Sequence, residues 1–207
     1  MKIEMFPLGP LMTNAYLVYD PAQEAGILFD PGMNPAPLIK RIKEIKVQIE
    51  AILLTHAHFD HIGGLEEVRE LTQAPVYIHE QETDWLTNAQ LNGSGLWMQE
   101  IVCQPAEKVL RGGEELQFLN KKFQVLHTPG HSPGSVSYLC ESYLFSGDVL
   151  FRNSVGRTDL PGGNWEVLMN SIQQHLLSLP DETQVLCGHG PTTSIGVEKK
   201  FNPFLQG

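Results

Sequence analysis

The sequence predicts an α/β layered domain. Three observations carry that prediction: short apolar runs bounded by Gly, Pro and Asn, amphipathic stretches at helical spacing that alternate with them, and a hydrophobic content of 42% in 207 residues, ample for a sizeable core. No repeat of solenoid period, charge block or low-complexity tract interrupts the chain, so one domain over residues 1–207 is expected.

Strands come first. Ile3 to Leu8, Ala15 to Tyr19 and Gly26 to Phe29 are apolar stretches separated by turn-forming residues, the pattern of short strands and hairpins. From Pro37 to Lys46 the apolar residues Leu38, Ile39, Ile42 and Ile45 fall at helical spacing between Lys and Arg, and Ala51 to Leu54 then reads as a buried strand. The alternation continues with a helix over Gly63 to Leu71, a strand over Val76 to Ile78 and a short helix over Gln81 to Asn88. Leu116 to Leu126 forms two strands around an Asn120-Lys121 turn, and Ser135 to Cys140 pairs with Tyr143 to Ser146 as a hairpin. A helix from Trp165 to Leu177, a strand from Gln184 to Cys187 and a helical segment after Thr193 complete the chain. Two stretches, Gln90 to Lys108 and Leu150 to Asn164, lack periodicity, and loops of that length usually border a site.

Composition removes several function classes. Lys plus Arg number 14 against 24 Asp plus Glu, a formal charge of −10, which opposes attraction to the nucleic-acid backbone. No apolar run has the length of a membrane span, and Met1 to Asp20 lacks the layout of a secretory leader. Cys103, Cys140 and Cys187 are widely spaced, without a C-x-x-C pair, so reduced and mostly buried thiols in a cytoplasmic protein are expected.

The chemistry concentrates in T-H-A-H-F-D-H, from Thr55 to His61, directly after an apolar strand. Imidazole and carboxylate are the usual ligands of borderline divalent metals. From an extended backbone His56 and His58 can point the same way, and Asp60 and His61 can face a second position close by. As turn or cap residues, three His and an Asp so close together have no common explanation. Further candidates repeat one pattern, a ligand-type residue just after an apolar strand and next to glycine: His131 in H-T-P-G-H-S-P-G-S, Asp148 in F-S-G-D and His189 in C-G-H-G. His79, His127 and His175 are isolated and read as packed or capping histidines. Arg157 reads equally as an anion ligand or as a salt-bridge partner of Asp159, and Trp85, Trp97 and Trp165 as core or lid packing.

These residues, in this order, resemble the metallo-β-lactamase superfamily, whose mark is H-x-H-x-D-H followed by a distant His, an Asp and a final His. The resemblance spans most of the chain. It implies a four-layer αββα sandwich, two mixed β-sheets with helices outside, and a dinuclear site along one sheet edge. Carried over residue by residue, it implies that His56, His58 and His131 bind a first divalent metal, that Asp60, His61 and His189 bind a second, and that Asp148 bridges them. Zinc is the expected metal, with iron and manganese as alternatives. A metal pair lowers the pKa of shared water towards neutrality and polarises a carbonyl. The implied reaction is hydroxide attack on an ester-like carbonyl, with Asp60 orienting the hydroxide as the catalytic carboxylate.

The bridging Asp148 separates the sequence from the true zinc β-lactamases, which resemble one another in lacking that Asp. The segments G-D-V-L-F-R-N-S-V-G-R-T-D-L-P-G-G, from Gly147 to Gly163, and T-P-G-H-S-P-G-S, from Thr128, are similar to glyoxalase II, most closely to its short bacterial relatives. The resemblance implies hydrolysis of S-lactoylglutathione or a related hydroxyacyl thioester. The helical C-terminal domain of glyoxalase II has no counterpart before Gly207, so the thiol portion is expected to be held by Gln90 to Lys108 and Leu150 to Asn164, or by a partner subunit. Persulfide dioxygenases also resemble this sequence, including a segment such as Gly156 to Asp159, and that alternative implies a single iron on His56, His131 and Asp148. A non-enzymatic, metal-stabilised module is the third reading.

Overall fold

The computed structural model describes residues 1–96 and 99–206; Trp97 therefore lies outside the described residues. The chain forms two compact units, Met1–Leu110 with Gln117–Lys121, and Arg111–Leu116 with Lys122–Gly207. Both are of α/β class, each built on a six-stranded mixed sheet.

In the first unit, strands β1 (Lys2–Leu8), β2 (Thr13–Asp20) and β3 (Ala25–Phe29) run as an antiparallel meander, and β4 (Gln48–Leu53), β5 (Val76–His79) and β6 (Lys108–Leu110) follow in parallel, in the order β1-β2-β3-β4-β5-β6. All five residues of β3 are buried, as a continuous apolar strand inside a sheet should be. The crossovers are helices α1 (Ala36–Ile45) and α3 (Leu65–Thr72), with α2 (Phe59–Ile62) a single turn between β4 and α3. Helix α1 buries Leu38 and Ile42, and α3 buries Leu65 and Val68, against a core that includes Leu28, Ile52, Leu54 and Val76. Fully burying one such aliphatic side chain contributes about 1.5–3 kcal/mol. Both helices stop at a left-handed residue, Lys46 and Gln73, whose N–H returns to the last turn.

A second six-stranded sheet, ordered β14-β13-β10-β9-β8-β7, is formed by β7 (Glu115–Phe118), β8 (Lys121–His127), β9 (Val136–Cys140), β10 (Tyr143–Gly147), β13 (Gln184–Cys187) and β14 (Thr193–Ser194). The β9–β10 hairpin is the one expected, with Tyr143 opposite Cys140. Strand β10 pairs with β13 in parallel, so both emerge at the same sheet end. Helix α4 (Trp165–Ser171) starts on Asn164, whose side chain accepts from Val167 N, and continues as a π-helical turn through Ile172–Leu176. Leu168, Ile172 and Leu176 bury one stripe of it against Leu144, Val149 and Val185. Helix α5 (Ile195–Phe201) follows β14.

The structure adds elements where aperiodic loops were expected. Strand β6 begins at the end of the first loop, and a two-stranded hairpin, β11 (Leu150–Phe151) with β12 (Ser154–Val155), opens the second. Of the two readings for Trp165, core packing is excluded: it is 45% exposed and stands edge-on to Phe204 at 6.0 Å. Among the described residues no helix is long and apolar enough to cross a membrane.

Candidate metal centre

Each unit carries its own set of ligand-type side chains on the loops that follow its strands. In the first unit the chain leaves β4 extended through His58 (φ −66°, ψ 146°) and closes into α2. His56 and His58 therefore lie on one side, ring centroids 4.8 Å apart and perpendicular, while the helical turn brings His61 to 4.1 Å from His56. Asp60 Oδ2 is 3.6 Å from His61 Nε2 and accepts from the Thr13 hydroxyl at 2.7 Å. All four residues are buried, and Asp60 is part of the cluster, not the cap of α3. The buried Glu82 braces the loop from below, accepting from Ala57 N at 2.6 Å.

A proton count along this loop fixes which ring nitrogens carry a lone pair. Asp30 accepts from Thr55 N at 2.8 Å, from the Thr55 hydroxyl at 2.6 Å and from His61 Nδ1 at 3.0 Å. The Thr55 hydroxyl has one proton and gives it to Asp30. Towards His56 Nδ1, 3.1 Å away, it can only accept. Both imidazoles are thus protonated at Nδ1, leaving Nε2 with the lone pair a metal requires.

In the second unit His131 follows β8, Asp148 follows β10 and His189 follows β13. The parallel pairing sets Gly147 opposite Cys187, and Gly188 N donates to Gly147 O at 2.8 Å, so Asp148 and His189 leave the sheet side by side. Their imidazole and carboxylate meet at 3.5 Å, and His131 Nε2 reaches the same Asp148 oxygen at 3.7 Å. His131 Nδ1 donates to the Arg157 carbonyl at 2.8 Å, the same arrangement as in the first unit. A Cβ on Gly156 would stand 1.9 Å from Asp148 O and 3.3 Å from His131 Cβ, so only glycine lets the chain pass there.

All seven residues expected from the sequence thus lie in these two sets. Within the first, the ligand atoms of His56 and His58, and of Asp60 and His61, come within 4.8 Å of each other. Imidazoles anchored through Nδ1, together with carboxylates, are the donor set of a zinc, iron or manganese ion, so the residues fit such a metal. Sequence reasoning missed Asp30, Thr13, Thr55 and Glu82. Asp30 carried the signal, since it too directly follows an apolar strand and precedes a Pro-Gly pair.

The remaining candidates have structural roles. His79 caps the 3₁₀ turn Glu80–Trp85 through Gln81 N, and His127 Nε2 donates to Pro133 O at 3.0 Å. Arg157 holds the exposed Asp159 with two 2.7 Å hydrogen bonds, which draw the Asp159 carboxyl down to about 2. All three cysteines are buried and outside any disulfide, and burial pushes the Cys103 thiol up to about 12.

This chain belongs to the metallo-β-lactamase superfamily, which it matches over residues 8–189. The fold is correspondingly the metallo-β-lactamase fold. Among curated relatives it is 48% identical over 210 residues to the probable metallo-hydrolase YqgX of Bacillus subtilis, covering 100% of this chain and 99% of that protein. It is 35% identical over 210 residues to the hydroxyacylglutathione hydrolase GloC of Haemophilus influenzae, covering 99% and 98%. Similar solved structures are BLEG-1, described as a B3 metallo-β-lactamase (TM-score 0.96, 47% identity, 100% of both chains), and TTHA1623 in a di-iron-bound form (TM-score 0.80, 41% identity, 98% of this chain and 100% of that one). A third is ETHE1 from Myxococcus xanthus (TM-score 0.80, 31% identity, 98% and 84%).

Proposed function

We propose that the chain is a dinuclear metal-dependent hydrolase of thioesters, acting on S-lactoylglutathione or a related hydroxyacyl thioester. The observation that carries the reading is the anchoring of His56, His61 and His131 through Nδ1, which presents three Nε2 lone pairs. His56, His58 and His131 would hold one ion and Asp60, His61 and His189 the other, with Asp148 between them. The di-iron form of TTHA1623 and the name of GloC support the pair of metals and the thioester respectively. Two divalent ions supply a water ionised near neutral pH and a Lewis acid for the carbonyl oxygen. The protein's part is positional. Asp60, its carboxylate steered by the Thr13 hydroxyl, accepts a hydrogen bond from the attacking water and orients it.

Zinc is the metal we assign first, and buried cysteines outside any disulfide fit a cytoplasmic setting. A second reading, persulfide dioxygenation by one iron on His56, His131 and Asp148, draws on the likeness to ETHE1. The test is metal analysis of the purified chain, followed by turnover of acyl-glutathione, acyl-coenzyme A and alkyl thioesters. Oxygen uptake on glutathione persulfide and hydrolysis of a chromogenic cephalosporin run alongside. Two metals per chain with thioester turnover is the expected result. One iron with persulfide-dependent oxygen uptake establishes the dioxygenase instead, and lactam turnover without thioester turnover sinks both.

A further inference from the structure

The hairpin β11–β12 and the two residues that follow it meet His131, Asp148 and His189. Phe151 stands edge-on to His189 with ring centroids 6.2 Å apart. Immediately after β12, Gly156 packs on Asp148 and His131, its N–H donates to Val149 O at 3.1 Å, and the Arg157 carbonyl takes the His131 Nδ1 proton. With two residues per strand, this hairpin has too few ladder bonds to be stable alone.

Its turn is fastened by α5 and the residue that follows it. Glu198 is fully buried, and its Oε2 accepts from Asn153 N at 2.8 Å and from Asn202 Nδ2 at 2.8 Å, while Oε1 accepts from the Thr193 hydroxyl at 2.5 Å. Asn202, also fully buried, gives a second proton to Ser154 O at 2.9 Å. A buried carboxylate is retained only where its acceptor sites are filled. Here two of the three donors belong to, or lead directly to, the turn of the hairpin.

We infer that Glu198 and Asn202 are positioning residues for the metal centre: from outside the site they hold the β11–β12 hairpin that aims His131, Asp148 and His189. The inference rests on the metal reading above. Its chemistry also selects the variants. In Glu198→Gln the side-chain oxygen can keep Asn153 N and Asn202 Nδ2, and the new NH₂ can donate to the Thr193 oxygen, whose hydroxyl turns. No bond is lost. Glu198→Ala removes the shared acceptor, and Asn202→Ala removes the link to Ser154 while leaving Glu198 on Asn153.

The experiment measures metal affinity by competition with a chromophoric chelator, together with the visible spectrum of the cobalt-loaded chain, for the parent and the three variants. Circular dichroism identifies the folded ones. Partners that orient metal ligands typically contribute about 10- to 100-fold in metal affinity. We expect a loss of that size and an altered cobalt spectrum in Glu198→Ala and Asn202→Ala, with parent behaviour in Glu198→Gln. If Glu198→Ala does not fold, Asn202→Ala decides. Folded alanine variants that bind cobalt with the parent's affinity and spectrum overturn the inference alone, as does a Glu198→Gln variant as impaired as Glu198→Ala. A parent chain that takes up no metal overturns the dinuclear reading, and this inference with it.

Discussion

Replacing Asp30 by Asn tests the proton count on which the metal reading stands. The two oxygens of Asp30 receive three donors: Thr55 N–H on Oδ1, and the Thr55 hydroxyl and His61 Nδ1 on Oδ2. An amide can replace the carboxylate in two ways. With its NH₂ at the Oδ2 position, the Thr55 oxygen and His61 Nδ1 must both accept. The Thr55 proton then turns to His56 Nδ1, and both imidazoles become protonated at Nε2. Nothing clashes, but both lone pairs are lost. With its NH₂ at the Oδ1 position the lone pairs survive, but two buried donors, the amide and Thr55 N–H, face each other, at a cost of about 1–3 kcal/mol. The metal-free variant takes the first arrangement and the loaded variant is forced into the second, so that difference is subtracted from metal binding. We expect a folded protein with nearly parental stability and metal affinity weaker by about 10- to 100-fold. Chelator competition measures the affinity, and long-range ¹H–¹⁵N spectra of the imidazoles report the tautomers. A variant with parental affinity, whose His56 and His61 remain protonated at Nδ1, refutes the argument.

Three further outcomes follow from individual side chains. Asp60→Asn should retain substrate binding but lose about 10²- to 10⁴-fold in turnover; near-normal turnover with both metals present removes its catalytic role. Glu4 accepts two hydrogen bonds from Arg41, at 2.7 and 2.8 Å, and one from Tyr19, and the Arg41 bonds hold its carboxyl below the ordinary value of 4.5. The lowered folded value means that this stabilisation is complete above 4.5 and is lost as pH falls through the folded value. Glu4→Gln should therefore be modestly less stable than the parent at neutral pH and equal to it in strong acid. Urea titrations at several pH values check this, and a gap that persists in acid contradicts it. Cys103, with its thiol near 12, should resist Ellman's reagent in the native chain at mildly alkaline pH and react at once in denaturant; rapid native labelling would show that the site opens.

How much of this was legible in the sequence depended on whether the signal was local. The strands that open the chain and the β9–β10 hairpin are marked by apolar runs and turn residues within a few positions of each other. His56, His58, Asp60 and His61 are marked by density alone. His131, Asp148 and His189 each showed the same mark, a ligand-type residue at a strand end beside glycine. What places the last two side by side, the parallel register of β10 with β13, joins residues about forty positions apart and leaves no periodic trace. Strands β6, β11, β12 and β14 are two or three residues long, too short for alternation to register. Asp30 fitted the strand-end pattern and was overlooked because no second ligand stands near it in sequence. Glu82 and Glu198 gave no signal, since a carboxylate buried under backbone donors looks, in sequence, like any surface acid.

The Gly63-Gly64 pair between α2 and α3 has a practical consequence. A Cβ on Gly63 would lie 2.3 Å from Met33 Cγ, and one on Gly64 would lie 2.3 Å from the Gly32 carbonyl oxygen. The backbone after His61 therefore runs against the segment 32–35 with no room for any side chain. For enzyme engineering this divides the molecule into regions of different use. Residues 30–35 and 55–64 form a seat in which a library would yield mainly unfolded or metal-poor clones. Surface diversity belongs on exposed side chains such as Leu91, Leu96 and Asp159, and not on the buried Asn92, whose carbonyl takes the Phe59 N–H between His58 and Asp60.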